Sequence, residues 1–331
     1  MVRGRRKAVI FGAGASGRGH IGHLAYASGY QLVFVDVDRS LVEELEKAGR
    51  YTVHLVGTTE QDVTITGYRA YSLRDEETVV REIAACDLVL TAVTAEGLPG
   101  VVPCLCRGIM ARADCPTEAP LNVVACENMI RGSSSLREQV VATLDPRYLP
   151  YLQNHIGFPD AMIARVVPAP TGNRMHIVAE DYNEWVVDRN SWLGPPPDIQ
   201  GLELVDNLQA RLERKIYIHN AGHAVCGYLG YLRGHHLMCD AIADPWIREI
   251  VDGAMSEAGQ ALIRRFGFSR ASIDAYRAAF FPRVAARQIP DPVARVIRSP
   301  KRKLGRKERL LGPACMAIDY GLACGNLAMG I

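Results

Sequence analysis

Lys7-Ala-Val-Ile-Phe11-Gly12-Ala-Gly14-Ala-Ser-Gly17-Arg-Gly19 decides the fold of this 331-residue chain. The run from Ala8 to Phe11 is a short apolar strand. The glycines follow in G-x-G-x-x-G spacing, ahead of a helix whose apolar positions include Ile21, Leu24 and Ala25. In that arrangement Gly12 permits a tight turn, Gly14 lets the backbone approach a pyrophosphate, and Gly17 lets the helix lie against the strand. The helix N-terminus then receives negative charge. Alone, the glycine spacing is a weak signal. A second strand, Gln31-Leu-Val-Phe-Val-Asp36, ends in an acid at the distance this unit requires. A carboxylate there bonds the adenosine ribose hydroxyls and repels a 2′-phosphate, so NAD is favoured over NADP. Arg39 tempers that preference, because an arginine just beyond the strand is where a 2′-phosphate would be accommodated.

Outward from this stretch, strands and helices alternate to about residue 140. A helix is expected over 40–48, a hairpin over 51–56 and 61–68, and a helix over 75–85. Asp87-Leu-Val-Leu-Thr91-Ala92-Val93 is a near-continuous apolar strand of the kind buried in a parallel sheet. Its end, through Thr91, Ala92 and Val93, should face the cofactor, since ligands sit at the carboxyl ends of such strands. A further helix precedes Leu121-Asn-Val-Val-Ala-Cys126, which delivers Glu127 and Asn128 to the same edge. Strands follow over 162–167, 175–178 and 184–188. The proline cluster Gly194-Pro-Pro-Pro-Asp198 marks a stiff connection. Beyond it the pattern is helical over 202–232, 246–266 and 272–280, then from 292 into a basic stretch. The expected fold class is α/β: a Rossmann-type dinucleotide-binding domain over 1–193, followed by a mostly α-helical domain over 194–331. The cleft between such domains is the default active site.

Composition narrows the function. A net charge of +2 gives no reason to expect a nucleic-acid partner. No apolar run approaches the roughly 20 residues that span a bilayer, and the basic start leads directly into a strand rather than a cleavable signal. A cytoplasmic protein without a membrane partner is expected. The nine cysteines are scattered and odd in number, with no C-x-x-C pair and no H-E-x-x-H anywhere. They read as buried thiols, and no metal is expected. Any proton acceptor in catalysis should therefore be a side chain.

The second domain offers one, in the stretch Lys215-Ile-Tyr-Ile-His219-Asn220-Ala-Gly-His223. On a uniform α-helix with Lys215 at zero, His219 falls at about 40°, His223 at about 80° and Asn220 at about 140°. A lysine that loses its proton beside two hydrogen-bonding groups can drive chemistry at an alcohol or carbonyl. Singly, each residue has a bland explanation: an exposed helix lysine, an asparagine bending the helix near Gly222, a satisfied core histidine.

Together with their surroundings, these residues resemble the polyol-specific long-chain dehydrogenases of the mannitol dehydrogenase family. The resemblance runs through Phe11-Gly-Ala-Gly14, His54-Leu-Val-Gly57, Ala125-Cys-Glu-Asn128-Met-Ile-Arg131-Gly132 and Glu184-Trp-Val-Val-Asp188. It continues in Asp206-Asn-Leu208, Glu213-Arg-Lys215, Asn220-Ala-Gly-His223-Ala, Tyr228-Leu-Gly230 and Arg302-Lys-Leu304. It implies that Lys215 is the general acid/base, that Asn220 and His223 hold the substrate oxygen, and that Asn128 belongs to the same site. His219 receives no role from it and is read as packing or support. An alkoxide developing as hydride leaves needs donors aimed at its oxygen. A lysine serves as base only where burial or nearby positive charge brings its pKa toward the working pH. The resemblance also inclines to a monomer or weak dimer.

The substrate is argued from charge. Arg298, Lys301, Arg302, Lys303, Arg306, Lys307 and Arg309 face a single acid, Glu308, within twelve residues. A polyol phosphate could pair with such groups by charge-assisted hydrogen bonds. Arg302 and Lys303 lie in the segment that resembles the family and are the phosphate candidates. A nucleic-acid role is disfavoured because no aromatic residues interleave the run. The expected reaction interconverts mannitol 1-phosphate and fructose 6-phosphate. The alternatives are an unphosphorylated polyol or a hexuronate as substrate and, in another class, a catalytically lapsed NAD sensor. Relatives carry an aspartate where this chain has Ala164 before Arg165, and Arg-Phe-x-Asn where it has Arg283-Val-Ala-Ala286. The chain also ends at Ile331, short of the family's usual helical C-terminus, so a trimmed second domain is expected.

Overall fold

The computed structural model describes residues 6–58, 60–115 and 119–331. In chain order the strands are β1 (Lys7–Phe11), β2 (Gln31–Asp36), β3 (Arg50–Val56), β4 (Gln61–Thr66), β5 (Arg69–Ser72) and β6 (Leu88–Thr91). They continue as β7 (Leu121–Ala125), β8 (Ile156–Gly157), β9 (Ala161–Ala164), β10 (His176–Glu180), β11 (Glu184–Asp188) and β12 (Leu202–Val205). Six of them form one sheet in the order β5-β2-β1-β6-β7-β8, every pairing parallel. Counted along the chain, that is the 3-2-1-4-5-6 order of a doubly wound dinucleotide-binding sheet. The apolar runs read from the sequence are its interior: Ala8, Val9 and Ile10 of β1 and Val89 and Leu90 of β6 are inaccessible to solvent. They are buried because helices cover both faces of such a sheet.

Two smaller sheets accompany it. The expected hairpin forms, with β3 and β4 antiparallel from Arg50↔Thr66 to Leu55↔Gln61, and β10 joins β3 in parallel. In the third sheet β11 pairs with β9 and β12. Helix 202–232 of the sequence reading is thereby corrected at its start. Leu202-Glu-Leu-Val205 is a strand because its backbone pairs in parallel with Trp185 to Asp188, and helix begins only at Leu208. The chain divides into compact units at the same place, Met1–Leu208 and Gln209–Ile331. The change therefore falls beyond the proline cluster, since β12 is tied to β11.

The second unit is helical among its described residues. Its longest helix, Pro245–Phe266, is capped by Asp244, whose carboxylate accepts from the amides of Trp246 and Ile247, and closes on Gly267 in the left-handed conformation. Its core includes Ile218, Val225, Val251, Met255, Leu262 and Phe280. Among the described residues no helix is long and apolar enough to cross a membrane.

Candidate functional site

In the first unit the site is built around the turn after β1. Gly12 has φ +93°, and a Cβ there would stand 2.5 Å from the Ala92 carbonyl oxygen. Only glycine meets both demands. A Cβ on Gly17 would collide with the Gly12 carbonyl, whereas nothing lies within 4 Å of one on Gly14. The turn is closed beneath and open above Gly14, as a backbone approached by a pyrophosphate requires. Phe11 is buried, so its side chain packs the core and only its backbone takes part, accepting from the Ala92 amide at 2.7 Å. The helix that follows opens with a π turn, Gly17–Gly22, before the α-helical His23–Ala27.

Asp36 is fixed by the turn itself. Its Oδ2 accepts from the Ala13 amide at 2.6 Å and its Oδ1 from the Asp38 amide at 2.8 Å. An ionised carboxylate offers about four lone pairs, so acceptor capacity remains for hydroxyl groups. Arg39 pairs with Glu43 at 3.4 Å on the surface. Arg174, which the sequence reading passed over, bonds Asp38 at 2.6 Å and Glu44 at 3.2 Å.

At the ends of β6 and β7, Thr91, Ala92 and Val93 are gathered by Glu127. Its carboxylate accepts from Thr91 Oγ1 at 2.9 Å and from the Val93 amide at 3.0 Å. Burial pushes this carboxyl up to about 7, against the opposing effect of those same hydrogen bonds. Asn128 follows on an exposed turn that ends in Arg131, one of two described non-glycine residues with positive φ, at 57°.

In the second unit Lys215, Asn220 and His223 lie on one run of helix, but it is not uniform. Between α-helical Leu208–Arg214 and Asn220–Leu232 stands a π turn, Lys215–His219, and the Asn220 amide reaches the Lys215 carbonyl five residues back. The wheel positions expected for a uniform α-helix are therefore corrected. A wider turn rotates less per residue, so Lys215 and Asn220 come closer in azimuth than α-helical geometry would put them. Gly222 lets this helix lie close to its neighbours, since a Cβ there would stand 2.7 Å from Met255 Sδ.

Around that helix stand groups from distant parts of the chain. His219 Nδ1 faces Arg283 at 3.4 Å. Burial, then Arg283, His223, Lys215 and Arg309, push the His219 pKa well below its ordinary value, and the ring stays neutral. Phe280 meets both imidazoles edge-on, at 5.4 Å from His219 and 6.3 Å from His223. His223 Nε2 lies 3.2 Å from Asp291. Arg295 holds Asp291 through two bonds of 2.6 Å. Asp291 had no signal in the sequence that would have assigned it to the site, whereas His219 had its place on the helical wheel and Arg283 its place in the segment Arg283-Val-Ala-Ala286. Glu127 had a partial one, its place at the end of β7.

The two phosphate candidates differ. Lys303 is buried and its amine donates to the Val296 carbonyl. Burial, then Arg309, Arg302, Arg295 and Arg298, bring it down to about 8. Arg302 is mostly exposed and reaches Glu308 at 3.5 Å.

A glycine turn at the crossover point of a 3-2-1-4-5-6 sheet, followed by a helical unit, defines a two-part protein with a Rossmann-type fold. Residues 6–201 match the model of the mannitol dehydrogenase Rossmann domain and residues 207–331 that of the mannitol dehydrogenase C-terminal domain. The chain belongs to the mannitol dehydrogenase family. Solved structures similar in fold include a D-sorbitol dehydrogenase in substrate-free form, at 19% identity and TM-score 0.84, with 98% of this chain and 78% of that one covered. A Pseudomonas fluorescens mannitol 2-dehydrogenase, solved with NAD and D-mannitol, has 17% identity, TM-score 0.77 and coverage of 99% and 78%. A 2-dehydropantoate 2-reductase from Geobacter metallireducens has 15% identity, TM-score 0.54 and coverage of 98% and 97%.

Proposed function

We propose that this chain is an NAD-dependent polyol dehydrogenase and, more finely, a mannitol-1-phosphate 5-dehydrogenase that interconverts mannitol 1-phosphate and fructose 6-phosphate. The observation that carries the reading is Lys215 at a π turn, on one run of helix with Asn220 and His223, in a chain of this family. The first unit fits NAD on its own features: the Gly12–Gly17 turn open at Gly14, and Asp36 held by the Ala13 amide. The turn shaped by Gly12 and Gly17 would take the pyrophosphate at Gly14, and Asp36 the ribose. Backbone at Phe11, Thr91, Ala92 and Val93 would complete the wall. When bound, NAD supplies the hydride acceptor for alcohol oxidation.

The chain's own residues handle the proton and the oxygen. In oxidation the Lys215 amine takes the hydroxyl proton, and in reduction the ammonium returns it. Asn220 holds the substrate oxygen by a hydrogen bond and His223 is a further group on that oxygen, while Asn128 is the first unit's candidate for substrate binding. Arg302 and Lys303 are the candidates for the phosphate.

A second reading, an unphosphorylated polyol, is favoured by the occupation of those two cations: Lys303 is bonded to a carbonyl and Arg302 faces Glu308. Fructose 6-phosphate, free fructose, sorbose and hexuronates assayed with NADH and NADPH separate the two. A kcat/KM higher for the phosphorylated ketose supports the first reading, and a value higher for a free ketose supports the second. Turnover of any of these excludes a role limited to sensing NAD.

A further inference from the structure

Building on the reading that His223 holds the substrate oxygen, we propose that Asp291 is a positioning residue. Its carboxylate fixes the proton of His223 on Nε2 and so makes Nδ1 the nitrogen that meets the substrate. The contact is 3.2 Å from Nε2 to Oδ2. An ionised carboxylate can only accept, so the ring nitrogen facing it must carry the hydrogen.

The carboxylate is well placed to impose that choice. Arg295 grips it with Nε on Oδ1 and Nη2 on Oδ2, both at 2.6 Å, a two-point hold that fixes the carboxylate plane. Burial works against the Asp291 charge, but the bonds from His223 and Arg295 prevail and hold the carboxyl at about 2. The backbone is pinned as well. The Asp291 carbonyl accepts from the Met238 amide at 2.9 Å, the Val293 amide donates to His236 at 2.9 Å, and Leu237 and Pro292 form an antiparallel bridge. A residue outside regular structure is thus held on both sides.

The neighbouring titratable ring, His219, stands 5.8 Å from that of His223, centroid to centroid, Lys215, Arg283 and Arg309 act on His219, and Arg295 is bonded to Asp291. The Asp291 carboxylate, paired with Nε2, keeps the ring hydrogen on the side away from the substrate. With the ring neutral, Nδ1 offers a lone pair to a hydroxyl of the polyol next to the reacting one, whose own hydrogen goes to Lys215. With the ring protonated, Nδ1 donates to the reacting oxygen.

The test is nitrogen NMR of the full chain labelled with 15N-histidine, with the His223 resonances assigned by comparison with His223→Gln. The expected wild-type spectrum shows the Nε2–H tautomer at a pH where the ring is neutral. In Asp291→Asn, Arg295 retains the amide oxygen, the amide NH₂ faces Nε2, and the ring switches to Nδ1–H. With that switch kcat falls at least tenfold, with a smaller change in KM, while Asp291→Glu keeps the wild-type tautomer and most of the rate. A wild-type Nδ1–H tautomer, or a tautomer unchanged in Asp291→Asn, would overturn the proposal. The wild-type spectrum decides even if the variant fails to fold. Full turnover in His223→Gln would overturn the reading of His223 as a substrate-holding residue and leave the tautomer result standing.

Discussion

The glycine turn of the first unit leads into a π turn, Gly17–Gly22, and the Lys215 helix of the second contains one, Lys215–His219, yet they are held in opposite ways. The first is set by what is missing. Side chains are absent where the Gly12 carbonyl and the Ala92 backbone approach, and the partners are strand ends of the same sheet. The second is set by what is present. Arg283, Phe280, Asp291 and Arg295 come from segments far along the chain to fix two imidazoles. A site made by exclusion tolerates no added atom, whereas a site made by side-chain contacts can lose a member and keep its fold.

The largest expected effect tests the second region. Lys215→Ala should lower kcat by roughly 10²–10⁴-fold while NADH binding, followed by fluorescence titration, stays near wild type. Survival of activity at neutral pH would remove Lys215 from the base role. Gly12→Ala tests the first region in the opposite sense. The added methyl meets the Ala92 carbonyl at 2.5 Å in a backbone conformation disfavoured for alanine. Chemical denaturation should show a loss of about 1–3 kcal/mol, and NADH affinity should fall with it. Wild-type stability in that variant would break the distinction between the two regions.

Smaller effects sharpen it. Asp36→Ala removes the acceptor facing the ribose, and the preference for NADH over NADPH in kcat/KM should fall by about tenfold or more. A wild-type preference for NADPH would contradict the ribose assignment. Glu127 gives a pH signature. Its folded pKa of about 7 lies above the ordinary carboxylate value, so the folded state binds the proton more tightly than the unfolded one. Stability from this group should therefore decline as pH rises from about 4.5 to 7, then stay level. Glu127→Gln should flatten that decline in thermal unfolding measured across the same window, and an unchanged profile would show that Glu127 ionises normally. Last, Arg131→Gly should relieve a left-handed backbone and raise stability by about 1 kcal/mol or less. A loss would mean that the arginine side chain contributes more than the strain costs.

Much of the first unit was legible because its determinants are local. Apolar runs at Ala8 to Phe11 and Leu88 to Thr91, glycines at turn positions and an acid at a strand end state a βαβ unit without reference to distant residues. Leu202 to Val205 was misread as helix because four residues carry too little periodicity, and only pairing with β11 decides their conformation. The π turn at Lys215 was invisible for a related reason. A helical wheel of about 100° per residue assumes the α-helical ring, and a single wider turn leaves the apolar pattern almost unchanged.

By itself the sequence determined the alternation that makes a parallel sheet, the glycine turn and its acid, and the lysine, asparagine and histidine on one helical run. Each follows from steric and hydrophobic rules that act over a few residues. Only the tertiary structure decided that Glu127 gathers the end of β6, that His219 stays neutral among cations, that Lys303 turns to a backbone carbonyl and that Asp291 holds His223. Those outcomes depend on burial and on which charges meet, and neither exists until segments distant in the chain are brought together.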